Sequence, residues 1–337
     1  MIDLLIAGGG PAGLATAIHA ATAGLEVVIV EPRPTPIDKA CGEGLMPGGV
    51  RALAELGVTA AGQPLHGIRY LDGHRLAEGR FRHGTGLGVR RTDLHAALSR
   101  RAAELGIPVL SLKVGTVRQD ARSVTAAGLT ARYLAAADGL HSPIRRQLSL
   151  ELPDPRAPRH GLRQHFAVAP WTDCVEVHWS ALGEAYVTPL GPDLIGVAVL
   201  TGERMPFDAL LTAFPALLRR LPPRAASSVR GAGPMRRRVR ARVAGRVLLV
   251  GDAAGYIDAL TGEGLSLALA GAAHLVRCVR ADRPQEYEQA WRRTTRRHRL
   301  LTETLLRIRA SPLLAPRIVP LATRAPTAFT ALVNHLT

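Results

Sequence analysis

The sequence predicts an α/β fold in which a parallel-sheet unit is interrupted by an antiparallel sheet and followed by helices. Three observations lead there. The first 31 residues run from an apolar stretch through a glycine cluster and an Ala-rich segment to a second apolar stretch. A further apolar run ends in Gly-Asp at 251–252. Between them, residues 161–200 hold short strand-like runs split by Pro, Gly and Asp, the texture of an antiparallel sheet. At 337 residues the chain can form two domains, or one large domain with an insertion.

Taken in order, Ile2 to Ala7 suits a buried parallel strand. Gly8-Gly9-Gly10-Pro11-Ala12-Gly13 then opens a helix to about Ala23, and Gly24 is placed to end it. Leu25 to Val30 reads as a second strand closing in Glu31, and residues 34–50 read as irregular. A helix is predicted over Thr92–Leu105, with Asp93 near its start and Gly106 past its end. Leu129 to Ala137 reads as strand, broken by Asp138-Gly139. The insertion's strands are Phe166–Val168, Val175–Trp179, Ala185–Thr188 and Leu194–Leu200. Phe207–Leu221 reads as a helix, Arg246–Val250 as a buried strand, and Leu265–Val279 and Gln285–Arg309 as helices. The division expected is 1–62, 85–155 and 234–283 for the first unit, 63–84 and 156–233 for the inserted sheet, and 284–337 for a C-terminal helical segment.

Composition narrows the functions. The net charge is +16, yet the basic residues are almost all Arg, only Lys39 and Lys113 being Lys, and are spread along the chain. With few aromatics to stack on bases, nucleic acid is a poor partner. An anionic cofactor or membrane surface uses the charge better. Cys41, Cys174 and Cys278 make no CxxC pair, so neither a disulfide framework nor a metal site is expected. No apolar run reaches the roughly 18 residues of a membrane span, and Asp3 stands where a signal peptide would be positive. A cytoplasmic protein is expected, a monomer or homodimer. Arg277 to Arg309 on the C-terminal helices read either as a surface for anionic lipid or as a solvated face packed by Leu300, Leu301, Leu305 and Leu306, the second being preferred.

The glycine cluster comes with its context: a strand before, a helix after and an acidic residue closing the next strand. Gly8 permits the turn, Gly10 removes a side chain from the path of a pyrophosphate, and Gly13 lets helix and strand pack closely. Pro11 and Ala12 begin the helix whose free N–H groups face the phosphates. Glu31, followed by Pro32 and Arg33, can accept from ribose hydroxyls. The motif does not choose between NAD and FAD, but the downstream segment does. Gly251-Asp252-Ala253 follows a strand, and Gly262-Glu263-Gly264 opens a helix. Asp252 is placed to accept from the ribityl chain of FAD, and the helix start to face the flavin ring.

These residues, together with Ala136-Ala137-Asp138-Gly139-Leu140-His141-Ser142-Pro143-Ile144-Arg145, resemble the three fingerprints of the FAD-dependent aromatic hydroxylase superfamily. That superfamily also holds geranylgeranyl reductases and flavin-dependent halogenases. The resemblance implies a glutathione-reductase-type Rossmann FAD domain with an inserted antiparallel β-sheet substrate domain and C-terminal helices. It implies that Asp138 and Gly139 serve FAD and a transient NAD(P)H. It also implies that Arg91, with Arg90 as its rival, contacts the flavin's phosphate region. Two branches compete. The preferred one is a monooxygenase that uses NAD(P)H and O2 to hydroxylate a phenolic, lipophilic substrate through a flavin C4a-hydroperoxide. It is supported by a narrower resemblance of Cys41–Gly49 and Val175–Trp179 to actinobacterial flavoproteins associated with type III polyketide synthases. The other branch, prenyl C=C reduction, rests on Lys39-Ala40-Cys41-Gly42, which is similar to the Lys-Pro-Cys-Gly element of geranylgeranyl reductases. A non-catalytic, flavin-bound scaffold or lipid-binding protein is the third possibility.

Against halogenation, Glu184 and Tyr186 stand where that branch has two Trp residues. Cys41 reads either as a residue near the flavin or as small packing in a Gly-rich turn, and Glu43 as a general base or a solvated turn residue. Gly42 is assigned to the cofactor side. His165, His178, Trp179 and Tyr186 are candidates to line a substrate pocket, with His178 and Tyr186 the catalytic choices. Adjacent strand residues face opposite ways, so only one of His178 and Trp179 can do so.

Overall fold

The computed structural model describes residues 1–335. Ile2–Ala7 carries four consecutive fully buried residues and takes the centre of a sheet in which residues 1–30, 109–136 and 243–249 meet. It pairs in parallel with Val27–Val30 on one side and Leu129–Ala136 on the other, Ile6 facing Ile29 and Ala135. Val247–Leu249 adds in parallel beyond Leu129–Ala136. Strands this apolar are stable only when covered on both faces. Helix Pro11–Thr22 packs on this sheet, and helices Arg91–Glu104 and Gly264–Arg280 pack on that helix in turn.

The second sheet has the order Arg230–Ala232, His160–Phe166, Leu194–Thr201, Gly183–Gly191, Val175–Trp179, Gly67–Leu71, Leu76–Arg80. All its pairings are antiparallel except one: Val175–Trp179 runs parallel to Gly67–Leu71, where the two chain segments that build the sheet join. One face packs Val175, Val177, Tyr186 and Leu200 with Phe329 and Val333 from the C-terminal end. The other packs Ala185, Val187, Val197 and Val199 beneath Phe207, Leu210 and Phe214.

Several elements differ from expectation for identifiable reasons. The helix expected over Phe207–Leu221 is two short helices, Phe207–Leu211 and Pro215–Leu218. Pro215 forces Phe214 out of helical geometry, to φ −126° and ψ 63°. The strand expected at Phe166–Val168 instead runs His160–Phe166, its pattern disguised by the buried polar residues Arg163 and His165. A helix, Pro47–Glu55, starts inside the segment read as irregular, with Pro47 at its first turn. Helices Ile318–Arg324 and Pro326–His335 close the described chain and lie on the outer strands of the second sheet. The long helix Glu286–Ala310 is anchored by Tyr287, Trp291, Thr295, Thr302 and Leu305. Leu300, expected in that packed face, is 69% exposed. Among the described residues no helix is long and apolar enough to cross a membrane, and no cluster of His, Cys, Asp and Glu is arranged to hold a metal.

Candidate functional site

A cavity of about 310 Å³ lies between the two sheets. On the parallel-sheet side its wall is largely backbone. Gly8 has φ +111°, and a Cβ there would stand 2.5 Å from the Ala137 carbonyl oxygen. A Cβ at Gly13 would stand 1.8 Å from Gly8 O, so helix and turn touch only because residue 13 is glycine. Gly10 differs: its missing Cβ faces open cavity, with Arg91 Nη2 the nearest atom at 3.9 Å. Pro11, Ala12, Gly251, Asp252, Gly262 and Gly264 continue this wall.

Charged groups border it. Arg91 is 5% exposed, and its Nη1 has no hydrogen-bond partner. Burial lowers its pKa from the ordinary arginine value. Arg90, its rival from the sequence, does not line the cavity. Asp138 Oδ2 accepts from the Ile144 amide at 3.1 Å while Oδ1 is unpartnered. Burial raises both Asp138 and Asp252 above the usual carboxylate value, with Lys39 and Arg91 partly offsetting it at Asp252. Arg145, fully buried, donates to Leu140 O at 2.8 Å and Ala253 O at 3.1 Å. It thereby ties the Asp138-Gly139 segment to Gly251-Asp252-Ala253, a role its place in the motif did not disclose.

Glu31 accepts from the Gly9 amide at 2.8 Å, the Arg33 amide at 3.0 Å, and Arg33 Nε and Nη2 at 2.8 Å each. Burial alone would raise its pKa, but the Arg33 guanidinium and the two amides outweigh it and hold the carboxyl below its ordinary value. Arg33 must therefore swing aside for Glu31 to take ribose hydroxyls. These residues fit FAD: a cradle opened by the absence of a Cβ at Gly10, an unpartnered buried guanidinium beside it for the pyrophosphate, and half-buried Asp252 on the cavity wall.

Four expected residues are placed otherwise. Glu263 turns its carboxylate to His298 on the Glu286–Ala310 helix, leaving only Gly262 and Gly264 of its segment on the cavity. Pro32 is exposed and Ala253 is buried behind the wall. His178 faces away from the cavity, its Nε2 3.3 Å from Glu176 Oε2, which also accepts from Trp171 Nε1 at 2.9 Å. Strand alternation is the cause: Val175 and Val177 take the cavity side, so Glu176 and His178 cannot.

The loop around Cys41 joins the two sheets. Glu43, at φ 58° and 2% exposed, is neither solvated nor free. Its Oε1 accepts from the Arg91 amide at 2.9 Å, capping the Arg91–Glu104 helix, and its Oε2 bonds His165 Nε2 at 2.7 Å. Thr188 Oγ1 donates to Gly42 O at 2.8 Å, and Arg163 Nη2 to Asp38 Oδ1 at 2.5 Å. Cys41 lines the cavity. Burial, followed by the charge of Glu43, pushes its thiol pKa up. The Arg163–Asp38 pair had no signal in the sequence, because a polar strand meeting a polar loop looks like surface.

On the inserted-sheet side the lining is mostly apolar, with Leu162, Val175, Ala198, Leu200, Ala232 and Met235, and Arg163 and Thr188 are its polar members. Tyr186 presents its ring there, but its hydroxyl donates to Leu260 O at 2.8 Å and burial raises the phenol well above its ordinary value. It acts as a strut for the segment before Gly262. His165 is absent from this wall, and Trp179 packs edge-on against Tyr70 at 5.2 Å.

Fold and site together define a flavoprotein with a Rossmann-type dinucleotide cradle facing an apolar chamber. The family described as FAD binding domain matches residues 1–186, and the chain belongs to that family; it is an FAD-dependent oxidoreductase. It is 30% identical to the menaquinone reductase of Mycolicibacterium smegmatis, over 98% of this chain and 90% of that one. Digeranylgeranylglycerophospholipid reductase 1 of Methanothermobacter thermautotrophicus is 27% identical, over 80% of this chain and 75% of that one. Among solved structures, a flavoprotein/dehydrogenase from Cytophaga hutchinsonii superposes with a TM-score of 0.86 at 17% identity, covering 99% of this chain and 92% of that one.

Proposed function

We propose that this enzyme reduces a C=C bond in the isoprenoid tail of a lipophilic acceptor, a prenylated quinone being the best fit. The observation that carries the reading is the chamber itself: its substrate side is mostly apolar, its polar Arg163 and Thr188 being tied to the loop that carries Cys41, which stands where that side meets the cofactor side. The names of the two relatives, both reductases and one of menaquinone, support it. NAD(P)H is the electron source, and bound FAD supplies hydride-transfer chemistry.

The chain's own residues supply shape and a proton. Val175, Leu200 and Met235 present no polar group, so they hold an isoprenoid chain and exclude water. With its pKa raised, Cys41 keeps its Sγ–H at neutral pH and can deliver that proton to one carbon of the double bond while hydride reaches the other. Glu43 holds the loop that carries Cys41 against the Arg91–Glu104 helix. The overall change is NAD(P)H plus a proton plus an alkene to NAD(P)+ plus an alkane.

This reading replaces the hydroxylase expectation and dispenses with O2 as co-substrate. Hydroxylation of a phenol calls for a base at the substrate. Against that, His178 faces away, Glu43 is held by Arg91 and His165, and the Tyr186 hydroxyl is committed to Leu260. The test is turnover of a prenylated naphthoquinone by the FAD-loaded enzyme under argon and under isotopically heavy oxygen. The expected product gains two hydrogens in its tail under both gases. Heavy oxygen in the ring, with no product under argon, would reinstate the hydroxylase.

A further inference from the structure

We infer that the C-terminal end of the molecule is a docking surface for an anionic lipid bilayer. Four of the eleven strongly exposed large apolar side chains among the described residues fall between 300 and 321: Leu300 and Leu313, 69% and 77% exposed, with Leu314 and Leu321. Scattered exposed leucines are ordinary, whereas a cluster marks an interaction surface.

The spacing adds order to the cluster. Leu314, Arg317, Leu321 and Arg324 are all exposed and follow one another at intervals of three and four through the Ala315–Arg317 turn and the Ile318–Arg324 helix. They therefore share one face, on which leucine and arginine alternate. On the preceding helix, Arg293, Arg296, Arg297, Leu300 and Arg307 likewise fall on the solvent face, opposite the buried Trp291, Thr295, Thr302 and Leu305.

Charge identifies the partner. Residues 304–337 contain four Arg, of which Arg309 is paired with Glu184, and no Asp or Glu. The nearest acidic residue upstream, Glu303, is already paired with Arg156 and Arg236. A basic face carrying outward leucines matches a lipid interface, where the guanidinium groups meet anionic headgroups and the leucines enter the acyl boundary. A nucleic acid would meet the charge but gives the leucines nothing to enter. The surface also sits beside the chamber. The segment that bears it packs Val319, Phe329 and Val333 into the same core as Val175, Tyr186, Leu200 and Met235. Docked there, the enzyme would face its lipophilic substrate in the bilayer. That last step rests on the reductase reading; the docking does not.

The experiment is flotation of the FAD-loaded, full-length protein with vesicles of phosphatidylcholine alone or mixed with phosphatidylglycerol, at low and high salt, with a duplex DNA arm. Docking predicts binding to the mixed vesicles only. Replacing Arg317→Glu with Arg324→Glu should weaken it at least about tenfold, and Leu313→Ser with Leu314→Ser and Leu321→Ser by about as much. FAD content and thermal midpoint, unchanged in both sets, confirm that the fold is intact. No flotation with mixed vesicles at low salt overturns the inference. So does binding that neither variant alters, or DNA binding of equal affinity that falls in step with it. Loss of turnover on a detergent-solubilised prenyl quinone, with flotation intact, counts against the reductase reading alone.

Discussion

The two halves of the cavity are made of different material. On the cofactor side, glycine backbone, helix N-termini and buried charges form the wall, and Arg91 and Asp138 keep polar atoms without partners. On the substrate side, aliphatic side chains form most of it, and the polar groups are tied down, Tyr186 to Leu260, His165 to Glu43, Thr188 to Gly42 and Arg163 to Asp38, with Arg163 Nε alone left over among them. Unpartnered polar atoms in a buried wall are costly unless a ligand satisfies them, so the first half is shaped for a polar, anionic molecule. The second recognises by volume and dryness. A protein divided this way leaves the redox chemistry to its cofactor and contributes position and exclusion of water.

The largest expected effect lies at the close contact beneath the cofactor side. Gly13→Ala puts a Cβ 1.8 Å from Gly8 O, and the cost of about 3 kcal/mol or more should yield protein without bound flavin. Gly42→Ala, on the loop between the halves, meets no protein atom within 4 Å and should keep its denaturant midpoint, its Cβ intruding only on the cavity. Equal behaviour of the two would erase the contrast between a packed turn and an open wall.

Next in size is the junction. Glu43→Gln removes the charge facing His165 and raising Cys41, and should cost about 1–2 kcal/mol in chemical denaturation. In the native protein the Cys41 thiol titrates above its ordinary value, so alkylation stays slow at neutral pH and accelerates only in alkali. Loss of the negative charge lowers that pKa, and the Glu43→Gln profile should shift to lower pH. An unshifted profile would separate Glu43 from Cys41.

Two smaller effects sharpen the substrate side. Tyr186→Phe loses one hydrogen bond, worth about 1 kcal/mol, and should change kcat by no more than about threefold, since no proton passes through that hydroxyl. A collapse of kcat with stability preserved would make Tyr186 catalytic after all. His178→Gln should leave kcat/KM within about twofold, its ring lying on the far face of the sheet.

The same division explains what the sequence disclosed. The cofactor side depends on backbone geometry, which only a few residue types can adopt, so Gly8, Gly10, Gly13, Gly251 and Asp252 were legible by type and spacing. Arg33 is different: nothing in its position shows that it closes on Glu31. The substrate side depends on which face of a strand points inward. His178 was misplaced because the run Val-Glu-Val-His-Trp gives no sign of which face meets the cavity, and Glu176 and His178 turned out buried on the far one. The His160–Phe166 strand was hidden for a related reason, its buried Arg163 and His165 bonding to a loop 125 and 122 residues away in sequence. Glu263 pairs with His298, a contact across 35 residues that no local pattern announces.

The most direct test of this account is the second half of the catalytic cycle observed alone. FAD-loaded enzyme, bleached by one equivalent of NAD(P)H in the absence of oxygen, is mixed with a prenylated naphthoquinone whose ring is already in the hydroquinone form. Reduction of the tail predicts that the flavin absorbance returns without oxygen, at the rate at which a tail two hydrogens heavier appears. A flavin that stays bleached until oxygen is admitted, and then yields a hydroxylated ring, would contradict it.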